Sequence, residues 1–304
     1  MEFLRLMRPA HWSKNVFVFA ALIFSRKLAG EPGEVFLAVA SSFAAFACFC
    51  LASSAVYAFN DIIDRHSDRL HPEKCDRPIA SGRVSVGWAT LLVAICASAA
   101  VISSYMLAWN LGTIVTGYLL MMAAYSLFLK QTLILDVIII AVGFALRAVA
   151  GAVAVGTFIS PWLIICTFAL CLFLGFSKRQ GEALKLGQDA EQFRNTLASY
   201  TPQLLAHMLD VTSGLAVVCF LLYTMDQRTL RLFGTNNLVY TTPFVLYCVF
   251  RFSALIQQGK YSEPVQLLLR DWPFQIGVLL WGAAVIAIIY GERMGISVTG
   301  LWAF

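Results

Sequence analysis

The chain is a succession of apolar runs, each long enough to cross the hydrocarbon of a bilayer, and this limits it to very few folds. Nine such runs can be counted, at roughly 15–29, 35–58, 86–108, 111–129, 133–156, 160–176, 205–225, 237–253 and 274–291. A segment of this length and hydrophobicity spans a membrane as a helix, with some tilt. A transmembrane barrel would show ten-residue strands of alternating polarity, and these runs are continuous. Of the 304 residues, 60% are hydrophobic and 13% charged, about half the charge of an ordinary soluble domain. The expectation is therefore an all-α integral membrane protein with nine transmembrane helices in one domain over residues 1–304. The first run follows Arg5, Arg8 and Lys14. It reads as a retained helix rather than a secretory signal, because its cleavage region is weak and eight more runs follow.

The cations set an orientation. With the N-terminus inside, 16 Lys and Arg residues fall on the cytoplasmic side and 5 on the opposite side (Arg26, Lys27, Arg228, Arg231 and Arg293), with Arg147 inside a span. Such a bias places the protein in the cytoplasmic membrane with its long polar loops, 59–85, 177–204 and 254–273, facing the cytoplasm. The net charge of +5 follows from this topology and gives no support to nucleic-acid binding. Seven of eight cysteines lie in apolar runs, and neither Cys75 nor the four histidines have zinc-site spacing.

Charge is concentrated in "AVYAFNDIIDRHSDRLHPEKCDRPIASGR", residues 55–83. If residues 57–69 prolong the second helix, Asn60, Asp61, Asp64 and Asp68 fall within an arc of about 100°. Three carboxylates and an amide on one face repel each other unless a cation intervenes, and hard oxygens of this kind suit Mg²⁺, which bridges carboxylates to substrate phosphates. The bland alternative is a solvated helix end with Arg65 and Arg69 neutralising the acids. Pro72 and Pro78 break the helix, so Lys74 and Arg77 lie on a loop able to fold back over the metals. Acids for Mg²⁺ with Lys and Arg for phosphate oxygens are the parts needed to bind a diphosphate and stabilise its departure. Arg69 joins them as a candidate substrate contact. Asp61, Asp64 and Asp68 are the candidate catalytic and metal-binding residues.

Four further positions carry two readings each. Arg147 is costly within a span; it either makes a structural ion pair, for which Asp136 lies on nearly the same face, or an interhelical hydrogen bond, or else lines a cavity and holds a phosphate. Gly143 and Gly151 would let another helix approach closely. Tyr125 and Lys130, at the end of the fourth run, are interfacial anchors or substrate contacts. Lys14, beside Trp12 and Asn15, either anchors the first helix or reaches a donor phosphate.

The stretch "NDIIDRHSD" is similar to the N-D-x-x-D-x-x-x-D motif of the UbiA superfamily of intramembrane prenyltransferases. The resemblance implies nine transmembrane helices, a cytoplasm-facing cavity and Mg²⁺-dependent loss of diphosphate. The chain departs from that pattern after the sixth run, where "GFSKRQGEALKLGQ" has Lys178, Arg179 and Glu182 in place of a second acid motif. Further stretches, "RPAHWSKN", "YSLFLK", "LRAVAG", "SKRQGEAL" and "LASYT", resemble the phosphoribose-transferring branch of the superfamily. That branch takes 5-phosphoribosyl 1-diphosphate as donor and a polyprenyl phosphate of decaprenyl type as acceptor, for cell-wall precursor synthesis. The resemblance favours substrate contacts at Tyr125 and Lys130, and phosphate binding by Lys178 and Arg179. Two alternatives stay open: a prenyl diphosphate donor with an aromatic or lipid acceptor, and a transporter or lipid-binding protein. A homo-oligomer is left open as well. Single cysteines placed in the three long loops are expected to react with an impermeant thiol reagent only after cells are permeabilised; labelling of any of them on intact cells overturns the orientation.

Overall fold

The computed structural model describes residues 2–72, 74–158, 160–186, 199–261 and 264–290. Among the described residues the chain is helical, with short 3₁₀ pieces and no strand. In chain order the α-helices are α1 (Glu2–Met7), α2 (Ala20–Ile23), α3 (Pro32–Ile63), α4 (Arg65–Leu70), α5 (Val86–Leu107), α6 (Trp109–Leu127), α7 (Leu135–Val155), α8 (Pro161–Leu186), α9 (Pro202–Met225), α10 (Gln227–Phe233), α11 (Thr242–Gln257), α12 (Pro264–Arg270) and α13 (Trp272–Tyr290). Eight are long and apolar enough to cross a membrane: α3, α5, α6, α7, α8, α9, α11 with the 3₁₀ turn before it, and α13. They coincide with the second to ninth apolar runs. The protein is thus a multi-pass membrane protein, its backbone polar groups satisfied within each helix as lipid demands. Of the cations used to orient it, Arg194 and Arg293 lie outside the described residues.

The first run, 15–29, departs from the expected single α-helix. It is a 3₁₀ helix over Pro9–Phe19, the one-turn α2, and a second 3₁₀ turn over Lys27–Ala29. The cause lies in its side chains. A 3₁₀ helix repeats every three residues, which stacks Trp12, Asn15 and Val18 in one stripe, followed by Ala21 on α2. Asn15 and Val18 are fully buried and Ala21 nearly so. The stripe meets α3 through bonds from Trp12 Nε1 to Ser54 Oγ (3.1 Å) and from Asn15 Nδ2 to Ser53 Oγ (3.2 Å). On α7 it meets Gly151, where a Cβ would lie 1.9 Å from the Val18 carbonyl oxygen. Of the two glycines singled out from the sequence, Gly151 permits this close approach. Gly143 has only ordinary contacts around it.

The chain forms two compact units. The first, residues up to Phe24 and Pro32–Phe158, packs the 3₁₀ segment, α3, α5, α6 and α7 around Phe49, Leu111, Val115 and Tyr118. A single extended residue, Ala108, separates α5 from α6 and forces them antiparallel. The second unit, Ser25–Glu31 and the described residues from Ser160 onward, pairs α8 with α9 and α11 with α13. There Arg251 on α11 grips Asp271 through two bonds of 2.6 and 2.9 Å, while Asp271 Oδ1 caps α13 at the Phe274 amide (2.9 Å). The Arg251 bond holds the Asp271 carboxyl below the usual carboxylate range. Gly151→Ala is expected to destabilise the protein by about 1–3 kcal/mol, because Val18 backbone cannot give way as a side chain would; thermal unfolding in detergent checks this against Gly143→Ala, which should stay close to wild type.

Candidate active site

The acids sit where α3 passes into α4. Asp64 occupies the junction at φ −84°, ψ 0°, yet the helical ladder runs through it: its amide bonds the Asn60 carbonyl (2.9 Å), and the Asp68 amide bonds the Asp64 carbonyl (2.8 Å). Asn60, Asp64 and Asp68 therefore follow one another at four-residue steps along one face. Asn60 Nδ2 also donates to Asp64 Oδ2 at 2.9 Å.

Each acid is met by a cation. Asp61 Oδ1 accepts from Arg8 Nη2 at 2.5 Å and from Arg77 Nη1 at 3.0 Å, and Arg77 Nη1 reaches Asp68 Oδ2 at 2.7 Å. Lys130, in the turn after α6, pairs with Asp64 Oδ1. The Asp61 and Asp68 side chains are 2% and 6% exposed, whereas Asp64 is 25% exposed. Burial raises the Asp68 carboxyl above its ordinary value, and Arg77 and Lys74 offset this only in part. Neutralisation by Arg65 and Arg69 is not what occurs: Arg65 donates to the Ile62 carbonyl (3.0 Å), and Arg69 ties α4 to the loop at the Ala80 carbonyl (3.0 Å). Lys74, half-buried, and Arg77 lie on that loop, which does fold back onto the acids.

With cations interleaved, no three His, Cys, Asp or Glu side chains among the described residues converge as a metal cage. The donor set nevertheless fits a hard divalent cation. Asn60, Asp64 and Asp68 supply aligned oxygens, and Asp61 Oδ2 is buried with no hydrogen-bond partner. Arg8 was readable in the sequence only as a topology charge. Its place just before Pro9, within "RPAHWSKN", was the available signal.

Arg147 belongs to a different polar node. It donates to Asn15 Oδ1 (2.7 Å), the Gly143 carbonyl (2.7 Å) and the Tyr118 hydroxyl (2.8 Å), and its guanidinium lies 4.8 Å from the Tyr118 ring centre. These bonds join the 3₁₀ segment, α6 and α7, as an interhelical hydrogen-bonding role would. Lys14 is half-buried on the 3₁₀ segment and Tyr125 half-buried near the end of α6. In the second unit, near the end of α8, Glu182 accepts from Arg179 Nη1 at 2.5 Å and lies 3.8 Å from Lys178 Nζ.

Fold and site together define a membrane-embedded transferase: helices that cross the bilayer end in a cluster of carboxylates, amide, Lys and Arg suited to an anionic substrate. The chain belongs to the UbiA prenyltransferase family, whose model matches residues 16–276. It is 32% identical over 298 residues to decaprenyl-phosphate phosphoribosyltransferase of Mycolicibacterium smegmatis, covering 94% of this chain and 92% of that one. The enzyme of the same name from Mycobacterium tuberculosis is 30% identical over 286 residues, covering 94% and 93%. Among solved structures, a UbiA homologue from Archaeoglobus fulgidus bound to GPP and Mg²⁺ shares the fold at a TM-score of 0.70 and 19% identity, over 95% of this chain and 99% of that one.

The buried Asp61 and the more exposed Asp64 lead to different expected stabilities. Asp61→Ala leaves two guanidiniums around a buried gap and should cost about 3 kcal/mol. Asp64→Ala, at a more exposed pair, should cost no more than about 1 kcal/mol. Unfolding midpoints of the two purified variants check this order.

Proposed function

We propose that the protein transfers 5-phosphoribose from 5-phosphoribosyl 1-diphosphate to a polyprenyl phosphate, of decaprenyl type, with release of diphosphate. The observation that carries this reading is the likeness, along nearly the whole chain, to relatives named for phosphoribosyl transfer to decaprenyl phosphate. The acid cluster of the first unit supports it, with Arg77, Lys74 and Lys130 beside the acids. In the second unit, by itself, α8 carries Lys178 and Arg179 around Glu182 where the prenyl-transferring pattern would have a second acid motif. We place this chemistry at the cytoplasmic face of the inner membrane, in the supply of precursors for cell-wall or other glycans.

In the reaction, an oxygen of the lipid phosphate forms a bond to the anomeric carbon as the bond from that carbon to the diphosphate breaks. Positive charge gathers on the ribose ring as the diphosphate leaves. The acceptor phosphate is already ionised, so no proton has to be removed from it and no strong general base is needed. Asp61, Asp64 and Asp68, with Asn60, are the residues that would hold Mg²⁺, which supplies positive charge to a departing diphosphate. Arg77, Lys74 and Lys130 donate to the diphosphate oxygens, and Lys14 and Tyr125 of the same unit help to hold anionic substrates that would otherwise repel. In the second unit, Lys178 and Arg179 are assigned to phosphate binding. Arg69 acts on the same site by holding the loop. Glu182 orients Arg179 and Lys178. Arg147 is assigned to the scaffold.

Purified protein with labelled phosphoribosyl diphosphate, polyprenyl phosphate and Mg²⁺ should form a lipid-soluble labelled product, with EDTA abolishing it and Asp64→Ala reducing turnover by orders of magnitude. Lys178→Ala and Arg179→Ala should raise the Michaelis constant for the donor by a factor of about ten to a hundred, the size of one charge-assisted contact, and leave that for the lipid nearly unchanged. A wild type that consumes a prenyl diphosphate and ignores phosphoribosyl diphosphate overturns the donor assignment.

A further inference from the structure

The acid cluster is tied to the start of the chain by an arginine that no expected substrate contact includes. Arg8 Nη2 lies 2.5 Å from Asp61 Oδ1, the oxygen that also accepts from Arg77 at 3.0 Å, and Arg77 continues to Asp68 at 2.7 Å. The arginine side chains are 21% and 24% exposed and the acids 2% and 6%, so two guanidiniums cover two buried carboxylates. The guanidiniums are the two cations in direct contact with these acids, Lys74 acting on Asp68 without a bond. Without Arg8, the Arg77 guanidinium would be the one left in contact with both carboxylates and be held on them more tightly.

The surroundings of Arg8 point inward as well. Its backbone is left-handed, φ 53° and ψ 61°, a conformation rare outside glycine that persists only where neighbours impose it. Ser54 Oγ donates to the Met7 carbonyl at 3.1 Å, and the Arg8 guanidinium lies 5.3 Å from the Tyr57 ring centre. Leu6, fully buried, packs in one cluster with Ile79 and Val84 of the loop that carries Arg77, and Glu2 pairs with Arg83 of that loop at 3.5 Å. A residue serving only as a topology charge or headgroup anchor would extend into water instead.

We propose that Arg8 is a positioning residue of the donor site: through Asp61 it carries negative charge that would otherwise hold Arg77, leaving the Arg77 guanidinium available to diphosphate oxygens. This rests on the reading of Arg77 as a phosphate contact. Binding of inorganic diphosphate in the presence of Mg²⁺, measured by calorimetry on the full chain in detergent, tests it without turnover. Arg8→Gln should weaken binding about tenfold, the scale of one charge-assisted contact. Arg8→Lys, which keeps the charge with fewer donors, should fall between the two. In an Arg77→Gln background, adding Arg8→Gln should change nothing further, whereas a merely structural role would weaken binding in both backgrounds. Should Arg8→Gln fail to fold, Arg8→Lys carries the test, since its deficit must also vanish in the Arg77→Gln background. Wild-type affinity in a folded Arg8→Gln protein, or losses that add in the double variant, overturns the assignment. A wild type that binds diphosphate with this Arg8 dependence yet leaves phosphoribosyl diphosphate unconsumed refutes the donor reading and upholds the role of Arg8.

Discussion

The bridge of Arg77 between Asp61 and Asp68 is the interaction on which the active end of the first unit depends. Carboxylates buried at the end of a greasy helix are costly unless paired and hydrogen-bonded. One guanidinium, shared between them and helped by Arg8, offsets that cost. The same bridge draws the loop after Pro72 back over the helix from which it departs. Arg69 at the Ala80 carbonyl and Leu6 beneath Ile79 secure the loop at two further points. The loop is thereby part of the folded scaffold, and the cations it carries are placed before any substrate arrives, which is the economy of a preorganised electrostatic site.

Deeper in the same unit, Arg147 solves a related problem by other means. A cation within a span must find acceptors inside the protein, and Asn15, Tyr118 and the Gly143 carbonyl provide them, with aromatic faces around the guanidinium. The node lies at the seam of three elements and fixes their mutual register. Polar groups in the two places therefore differ in kind: at the helix terminus carboxylates and cations gather in one ion-paired cluster, and within the span a single cation bonds three elements together.

Much of this was legible in the sequence because lipid imposes a coarse, length-based code. The eight long helices follow from unbroken apolar runs, and the acids follow from the four-residue spacing of Asn60, Asp64 and Asp68. The path of the first run was not legible. Hydropathy registers that 15–29 is apolar; it does not register that Trp12, Asn15, Val18 and Ala21 recur every three residues, nor that Gly151 clears a place for them. Ion-pair partners were equally hidden, since Arg8 and Lys130 are 53 and 66 residues from the acids they meet. Arg65 and Arg69, adjacent in sequence, were the natural local choice, but they bond backbone carbonyls instead. For Arg147 both roles were consistent with its position, and its partners Asn15 and Tyr118 lie 132 and 29 residues away, beyond the reach of local pattern.

The three-residue stripe has a consequence for how this region can vary. In a 3₁₀ path each residue turns the chain by about 120°. Inserting or deleting one residue between Arg8 and Val18 would thus carry every later member of the stripe a third of the way round. Asn15 would leave Arg147, the Val18 carbonyl would leave Gly151, and Arg8 could not reach Asp61 while both ends stayed in place. An α-helix facing lipid tolerates such slippage by rotating its greasy surface; here the segment is keyed at both ends, to a charge at one and to a missing side chain at the other. Length between these two keys is therefore as constrained as residue identity, and relatives that keep both contacts must keep the count.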